Sequence, residues 1–352
     1  MEQQPQKSIV FVNLIRSLAI FLVIVIHASA EQPTLYQLSY GSAWWTVNIY
    51  DSLARCSVPL FIITSGFLLL EASKLKELNS VFLKKRVLRI IPPLIFWAAI
   101  YFAWRYFADG ESITMATIYN DLLSGNEYFQ FPFLYLLFGL YLITPILRPA
   151  IAYSSKKTVK YIIILSFTGV AVASFINLFI FFNLAPSLFI FGSFVGYFVL
   201  GVYLPKLNIK PYKLYGLFIG GFVWTAVGTW ILALKNGGQL NQFFYDYSQL
   251  NVIMMSIAVF LLLLRLPPQL LEKRFSKTNK LLNLIGRNSL AIYLFHVIVL
   301  LTLQRGWLGL KISVTTLNPI LEIPLISIIT LAICLAVIVP LKRVPYLKRL
   351  IG

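Results

Sequence analysis

The chain is poor in the side chains that metal sites and disulfide frameworks require. Its 352 residues include two cysteines and two histidines. Cys56 and Cys334 both fall in long apolar stretches, and their spacing indicates neither a disulfide framework nor a metal site. Two histidines are also too few for a histidine-rich metal site. We therefore predict a functional site without a metal ion.

Charged residues are scarce as well. Only 12% of the residues are charged and 59% are hydrophobic, which leaves too little polar surface for a soluble domain of this length. The hydrophobic residues form blocks long enough to cross, as helices, a bilayer core about 30 Å thick. We therefore predict an all-α, polytopic transmembrane helix bundle that forms one integral membrane domain over residues 1–352, with no appended soluble domain. The ten predicted spans are 9–30, 43–70, 88–108, 131–151, 158–182, 186–204, 213–234, 247–266, 281–303 and 317–341.

The net charge of +18 fits either a nucleic-acid partner or the topology of a membrane protein. If the N terminus lies inside and the chain crosses ten times, most of the 30 lysines and arginines fall on the inner side. Every inner loop is then more basic than its outer neighbours, as the positive-inside rule requires. We predict cytoplasmic N and C termini, a multi-pass protein of the cell (inner or plasma) membrane, and no nucleic-acid partner.

The first hydrophobic block has some features of a signal peptide. Residues 18–26 are apolar, and the small residues 28–30 resemble a cleavage site. Arg16 argues against cleavage, because it lies well beyond the start of apolar sequence at Ile9. The whole block 9–30 suits a full span, so we expect this helix to be retained.

Arg16 and His27 are unexpected inside a membrane span, where a charged group costs about 2.5–3.5 kcal/mol. They are separated by eleven positions, which places them on one helix face about 16 Å apart along the axis. Alone, Arg16 could extend to the inner headgroups and His27 could lie at the outer interface. Together on one face, they favour a polar track inside the bundle.

The second span adds Asp51 and Arg55, one helical turn apart and suited to an ion pair. We place them in the outer half of the span, at a depth similar to that of His27. A carboxylate beside His27 would fix the tautomer of its imidazole, which suits a general base that removes a proton from a hydroxyl. A purely structural Asp51–Arg55 pair is the alternative, and the sequence favours neither.

Two further clusters have both a functional and a structural interpretation. Arg86 and Arg89 share a helix face at the inner interface and could hold the phosphates of a cytosolic cofactor, although plain positive-inside anchoring also fits them. Pro92-Pro93 is expected to separate an interfacial helix from the span that follows. Tyr293 and His296 share a face of the ninth span, either as packing residues or as part of the same outer cavity as His27.

Four stretches, taken together, resemble the membrane acyltransferase family 3 over essentially the whole chain. They are Arg16 to His27, which matches the family's arginine–ten residues–histidine signature; Val58 to Phe67, which resembles "VPLFFMISGF"; Arg86 to Arg89 with Ile-Ile-Pro-Pro after it; and Ser289 to His296, which resembles "SxxIYLxH". One stretch departs from the family, since Gln130 and Pro132 stand where a histidine and a tryptophan are frequent. The resemblance therefore assigns no acceptor contact to Gln130 or Pro132, and the role of Gln130 stays open at this point.

The resemblance implies a membrane-bound O-acyltransferase that transfers acetyl from acetyl-CoA to a sugar hydroxyl of a surface polysaccharide or its lipid-linked precursor. The expected partners are the lipid bilayer, acetyl-CoA and a glycan or lipid-linked saccharide acceptor. A glycan or lipid-linked sugar exporter is the alternative. The predicted site residues are the catalytic His27 and Asp51, the donor-binding Arg16, Arg86 and Arg89, and the cavity-lining Arg55, Tyr293 and His296.

Overall fold

The computed structural model of the protein describes residues 3–30, 37–179, 186–267, 276–309, 311–313 and 316–352. Over these ranges the chain is helical and forms no β-strand, which confirms the prediction of an all-α fold. The α-helices of these ranges are α1 (Gln3–Ser29), α2 (Ser42–Ala54), α3 (Ser57–Leu69), α4 (Asn79–Phe107), α5 (Met115–Ser124), α6 (Pro132–Ala152), α7 (Lys156–Phe179), α8 (Pro186–Tyr203), α9 (Pro211–Lys235), α10 (Leu250–Leu264), α11 (Ser276–Arg287), α12 (Ser289–Arg305), α13 (Pro319–Leu341) and α14 (Pro345–Leu350).

Seven helical segments of the described residues are long and apolar enough to cross a membrane, and a bent pair of helices raises the number to eight. The protein is therefore a multi-pass membrane protein. The predicted spans 158–182 and 186–204 include side chains outside the description, so the count of ten spans and the cytoplasmic termini stay predictions. The seven segments are Val10–Ser29, Ser42–Leu69, Asn79–Phe107, Pro132–Ala152, Pro211–Lys235, Phe243–Leu264 and Pro319–Leu341.

The expected helix break at Pro92-Pro93 is wrong. Helix α4 runs from Asn79 to Phe107 with both prolines inside it. Each proline removes one backbone hydrogen bond, but the remaining bonds and the packing of neighbouring helices can hold a membrane helix together. Arg86 and Arg89 therefore belong to the same helix as the apolar segment that follows the prolines.

The predicted span 281–303 contains a sharp bend. Helices α11 and α12 meet at Asn288 with a bend of 81°. Asn288 has φ −102° and ψ 7°, which is outside the helical region, and its Nδ2 donates to the Leu284 carbonyl at 2.7 Å. This side-chain bond satisfies a carbonyl at the end of α11, where the helical bonding stops.

The chain divides into two compact units. The first unit comprises Met1–Leu68 and Ser155–Leu335, and the second comprises Leu69–Ser154 and Ala336–Gly352. The division concerns packing within the chain, and the single membrane domain expected from the sequence remains a prediction.

Within the first unit, α1 packs against α2, α10, α11 and α12. Polar side chains join α1 to α11: Asn13 donates to Asn283 Oδ1 at 2.8 Å, and Ser17 donates to the Leu282 carbonyl at 2.6 Å. The helices approach so closely that a Cβ atom on Gly286 would lie 2.5 Å from the Asn13 carbonyl oxygen. Small and polar residues thus hold these helices together, as is common between membrane helices.

Helices α3 and α8, also in the first unit, cross at two glycines. A Cβ atom on Gly66 would lie 1.7 Å from the Phe198 carbonyl oxygen, and one on Gly201 would lie 2.3 Å from that of Ile63. Only glycine permits backbones this close. Since α3 follows α2 after only two residues, this crossing also fixes the segment that carries Asp51 and Arg55.

The buried side chain of Arg148 joins several segments of the second unit. Its Nε donates to the Leu69 carbonyl at 2.7 Å, its guanidinium pairs with Glu77 at 3.2 Å, and it lies 4.2 Å from the centre of the Phe82 ring. Hydrogen bonds from Lys85, and less strongly from Arg148, lower the pKa of Glu77. Arg148 therefore links the loop before α4 to helix α6 through a hydrogen bond and an ion pair.

Candidate functional site

The two histidines of the chain lie side by side in the first unit. His27 is near the end of α1 and His296 is in α12, and their ring centroids are 5.2 Å apart with an angle of 34° between the ring planes. His296 is fully buried. The fold therefore brings together two residues that the sequence separates by most of the chain length.

The hydrogen bonding of His296 defines its tautomer. Its Nδ1 is 2.7 Å from the carbonyl oxygen of Tyr293, and a carbonyl only accepts, so this nitrogen carries the proton. The lone pair is then on Nε2, which is buried and has no hydrogen-bond partner among the described residues. The Tyr293 ring also contacts that of His296, with centroids 5.8 Å apart.

The predicted ion pair between Asp51 and Arg55 is present at the C-terminal end of α2. Arg55 Nη2 lies 2.6 Å from Asp51 Oδ2, and their side chains are 13% and 3% exposed. Asp51 Oδ1 and Arg55 Nε are buried and lack a hydrogen-bond partner within the described part of the chain. Arg55 is also close enough to His27 to act on it electrostatically.

Aromatic residues before α10, which no motif in the sequence identifies, complete the surroundings of Arg55. The guanidinium lies 4.3 Å from the centre of the Tyr245 ring, at a distance suited to a cation–π contact. The Tyr245 hydroxyl donates to Asn48 Oδ1 at 2.7 Å, and Tyr247 also interacts with Arg55. The only sequence signal for this contribution is the run Phe-Phe-Tyr-Asp-Tyr at 243–247.

Arg16 lies on the same uninterrupted helix as His27. Its side chain is partly buried, and its helix neighbours Asn13 and Ser17 make the hydrogen bonds to α11 described above. The shared face of Arg16 and His27 predicted from their spacing therefore belongs to a continuous helix. The assignment of Arg16 to the donor stays a prediction.

Arg86 and Arg89 lie in the second unit. The Arg86 guanidinium is 5.1 Å from the centre of the Phe82 ring and 5.5 Å from that of Tyr141. Its Nε is buried without a hydrogen-bond partner among the described residues, whereas Arg89 is exposed. A half-buried guanidinium with an unused donor is suited to an anionic ligand.

The end of the chain adds two lysines to this group. Helix α14 packs against α4, and the pKa of Lys342 is lowered to about 8 by burial and by the positive charges of Arg89 and Lys348. None of the ion pairs in the described part of the chain involves Arg86, Arg89 or Lys342. We call Arg86, Arg89, Lys342 and Lys348 the cation cluster.

Gln130 and Pro132, where the chain departs from the resembled motif, also lie in the second unit. Gln130 is buried, and Pro132 is the first residue of α6, where the missing N–H of proline is tolerated. Nearby, Tyr135 donates a short hydrogen bond to the buried Glu127, and burial raises the pKa of that carboxyl group. Pro132 therefore begins α6, and Gln130 is buried just before it.

The described residues form a helical membrane protein with an adjacent pair of histidines, an ion pair with little exposure and a cation cluster that makes no ion pair among them. A sequence profile of the acyltransferase domain matches residues 9–339, nearly the whole chain. The chain belongs to the acyltransferase 3 family and is a membrane acyltransferase. No match was found among curated proteins or among solved structures. The family match gives no support to the exporter alternative.

Proposed function

We propose that the protein is an O-acyltransferase of the cell (inner or plasma) membrane that moves acetyl from acetyl-CoA to a sugar hydroxyl. The acceptor would be a surface polysaccharide or its lipid-linked precursor. The observation that carries this proposal is the pair of adjacent imidazoles, His27 and His296, because a hydroxyl must lose its proton to attack a thioester.

In the proposed reaction His27 removes the proton of the sugar hydroxyl while the hydroxyl oxygen attacks the thioester carbonyl. The carbon–sulfur bond then breaks, and His27 returns the proton to the leaving thiolate. The products are an acetyl ester of the sugar and the free thiol of CoA, so atoms and charge balance. Asp51, whose Oδ1 is buried without a hydrogen-bond partner in the described residues, would offset the positive charge that His27 carries between the two proton transfers. Transfer through an acyl-histidine is the alternative order of the same bond changes.

The cation cluster supports the choice of a polyanionic donor. CoA carries a diphosphate and a further phosphate, and arginine binds phosphate oxygens through two parallel hydrogen bonds. Arg86 has an unused buried Nε and Arg89 is exposed. We assign both residues to the phosphates of the donor, with Arg16 as a further donor-side arginine.

The test is acetyl transfer by purified protein in liposomes, with acetyl-CoA and a saccharide acceptor. His27→Ala should insert normally yet lose about 10²–10⁴-fold in kcat, the range for a general base. Arg86→Ala/Arg89→Ala should raise the KM for the donor by at least about tenfold, since each charged hydrogen bond contributes about 1.5–3 kcal/mol. The control Lys156→Ala/Lys157→Ala removes two exposed charges from the start of α7 and should leave that KM unchanged.

Two outcomes would overturn the proposal. Wild-type rates in His27→Ala would remove His27 from the mechanism. Translocation of the saccharide by the wild-type protein without consumption of acetyl-CoA would favour the exporter. Mass spectrometry of the acceptor then identifies the transferred group and separates acetyl from a longer acyl chain.

A further inference from the structure

The rings of His27 and His296 lie as far apart as an N–H···N hydrogen bond between them would require, although that bond is not formed in this structure. An N–H···N bond of about 3 Å between two imidazole edges requires ring centroids roughly 5 Å apart, and the observed separation is 5.2 Å. A small rotation of either ring can therefore complete such a bond. Hydrogen bonds of this kind are often long before substrate binds and shorten in the reacting complex.

His296 presents an acceptor, because its proton is already engaged. Nδ1 donates to the Tyr293 carbonyl, which leaves a lone pair on Nε2. That nitrogen is buried without a hydrogen-bond partner among the described residues, an unfavourable state for a polar atom. The hydrogen bond from Nδ1 to the Tyr293 carbonyl is sufficient to orient a histidine that only packs. Nε2 is therefore not needed for packing.

We propose that His296 is a positioning residue whose Nε2 accepts a hydrogen bond from the nearer ring nitrogen of His27. This inference rests on the proposed function, in which His27 is the general base. With its proton held toward His296, His27 must present its lone pair on the opposite nitrogen, which faces the hydroxyl to be deprotonated. Arg55 also acts on His27, but its charge is paired with Asp51, and a guanidinium only donates, so it cannot accept the His27 N–H.

Three substitutions of His296 separate its two hydrogen bonds. His296→Asn keeps a polar group near the position of Nδ1, and therefore the bond to Tyr293, but cannot reach His27. His296→Gln places its terminal oxygen near the position of Nε2, where it can accept from His27. His296→Phe keeps a ring of similar size and removes both bonds.

We expect kcat to fall about 10–100-fold in the Asn and Phe variants, as is usual when the partner that orients a functional histidine is lost. The Gln variant should retain most of the wild-type kcat, and KM for both substrates should change less than about twofold in all three. A packing role predicts the opposite order, with activity following thermal stability and Asn better than Gln. Equal kcat in the Asn, Gln and Phe variants would also overturn the proposal.

A measurement independent of acyl transfer is the tautomer of His27. The chain has only two histidines, so nitrogen NMR of protein labelled with ¹⁵N-histidine in lipid shows two rings, and His296→Phe assigns them. We expect one tautomer of His27 in the wild type, a mixture in His296→Phe, and a single tautomer again in His296→Gln. A single unchanged tautomer in all three proteins would contradict the positioning role.

The two tests also separate this inference from the proposed function. If His27→Ala abolishes transfer but no His296 variant changes kcat or the tautomer, the positioning role fails and the general base stands. If the tautomer depends on His296 but His27→Ala transfers acetyl at the wild-type rate, the hydrogen bond exists and the general base fails.

Discussion

The pair of Asp51 and Arg55 offers a direct test of whether a buried charge pair is structural or functional. The two side chains are 3% and 13% exposed and their charged atoms are 2.6 Å apart. Removing one partner of a buried pair leaves the other charge without compensation and costs about 3–5 kcal/mol. Removing both at once costs far less, because no lone charge remains buried.

We therefore predict that Asp51→Asn and Arg55→Met each lower the free energy of unfolding by about 3–5 kcal/mol, and that the double variant recovers most of it. The midpoint of thermal unfolding should fall by about 5 °C or more in each single variant. Cys56 and Cys334 are free and buried, so a dye that fluoresces on reaction with thiols reports unfolding without added labels.

Acetyl transfer by the same three variants decides the role of the pair. If Asp51 assists His27, the double variant regains stability but not activity. If the pair is only structural, the double variant regains both, and Asp51 leaves the mechanism. Wild-type stability in Asp51→Asn would falsify the reasoning itself, because it would mean that Arg55 does not need its carboxylate partner.

Two further predictions concern the helix crossing and the cation cluster. Gly66→Ala should destabilise the protein by about 3 kcal/mol or more, because its Cβ would lie 1.7 Å from the Phe198 carbonyl oxygen. In the control Gly216→Ala, the new Cβ meets nothing within 4 Å. Equal midpoints of thermal unfolding in the two variants would contradict this prediction. The pKa of Lys342 is about 8, so its charge is present at pH 7 and mostly absent at pH 9. Affinity for the acyl donor should therefore fall about fivefold over that range, which corresponds to about 1 kcal/mol for one charge pair. In Lys342→Arg the donor affinity should be independent of pH. The same fall in that variant would exclude Lys342 as the titrating group.

The helical membrane fold follows from the sequence because a long apolar block can satisfy its backbone hydrogen bonds within itself only as a helix. Local chain geometry was harder to predict. The rule that proline interrupts helices placed a break at Pro92-Pro93, but α4 continues through both residues. The break occurs instead at Asn288, inside a hydrophobic block, and hydrophobicity alone does not predict it.

The candidate site was predictable to the extent that its contacts are local. The spacing of four residues identified the ion pair of Asp51 and Arg55, because Arg55 directly follows α2 with helical backbone angles and lies one turn after Asp51. The spacing could not show that Tyr245 lies against Arg55, or that Lys342 lies near Arg89. These contacts join segments far apart in the chain, and only tertiary packing brings them together.

The spacing of Tyr293 and His296 left open whether His296 is a packing residue or part of the same cavity as His27. The position of His296 in the fold distinguishes these alternatives. A histidine that only fills space needs one hydrogen bond, and His296 obtains it from the Tyr293 carbonyl in its own helix. If packing were its whole purpose, its other edge would favour an apolar neighbour, because an unused buried acceptor is costly. Instead that histidine ring contacts His27, which has the ring N–H needed to use the acceptor in one of its two neutral tautomers. The arrangement therefore favours a pair of histidines that act as one unit.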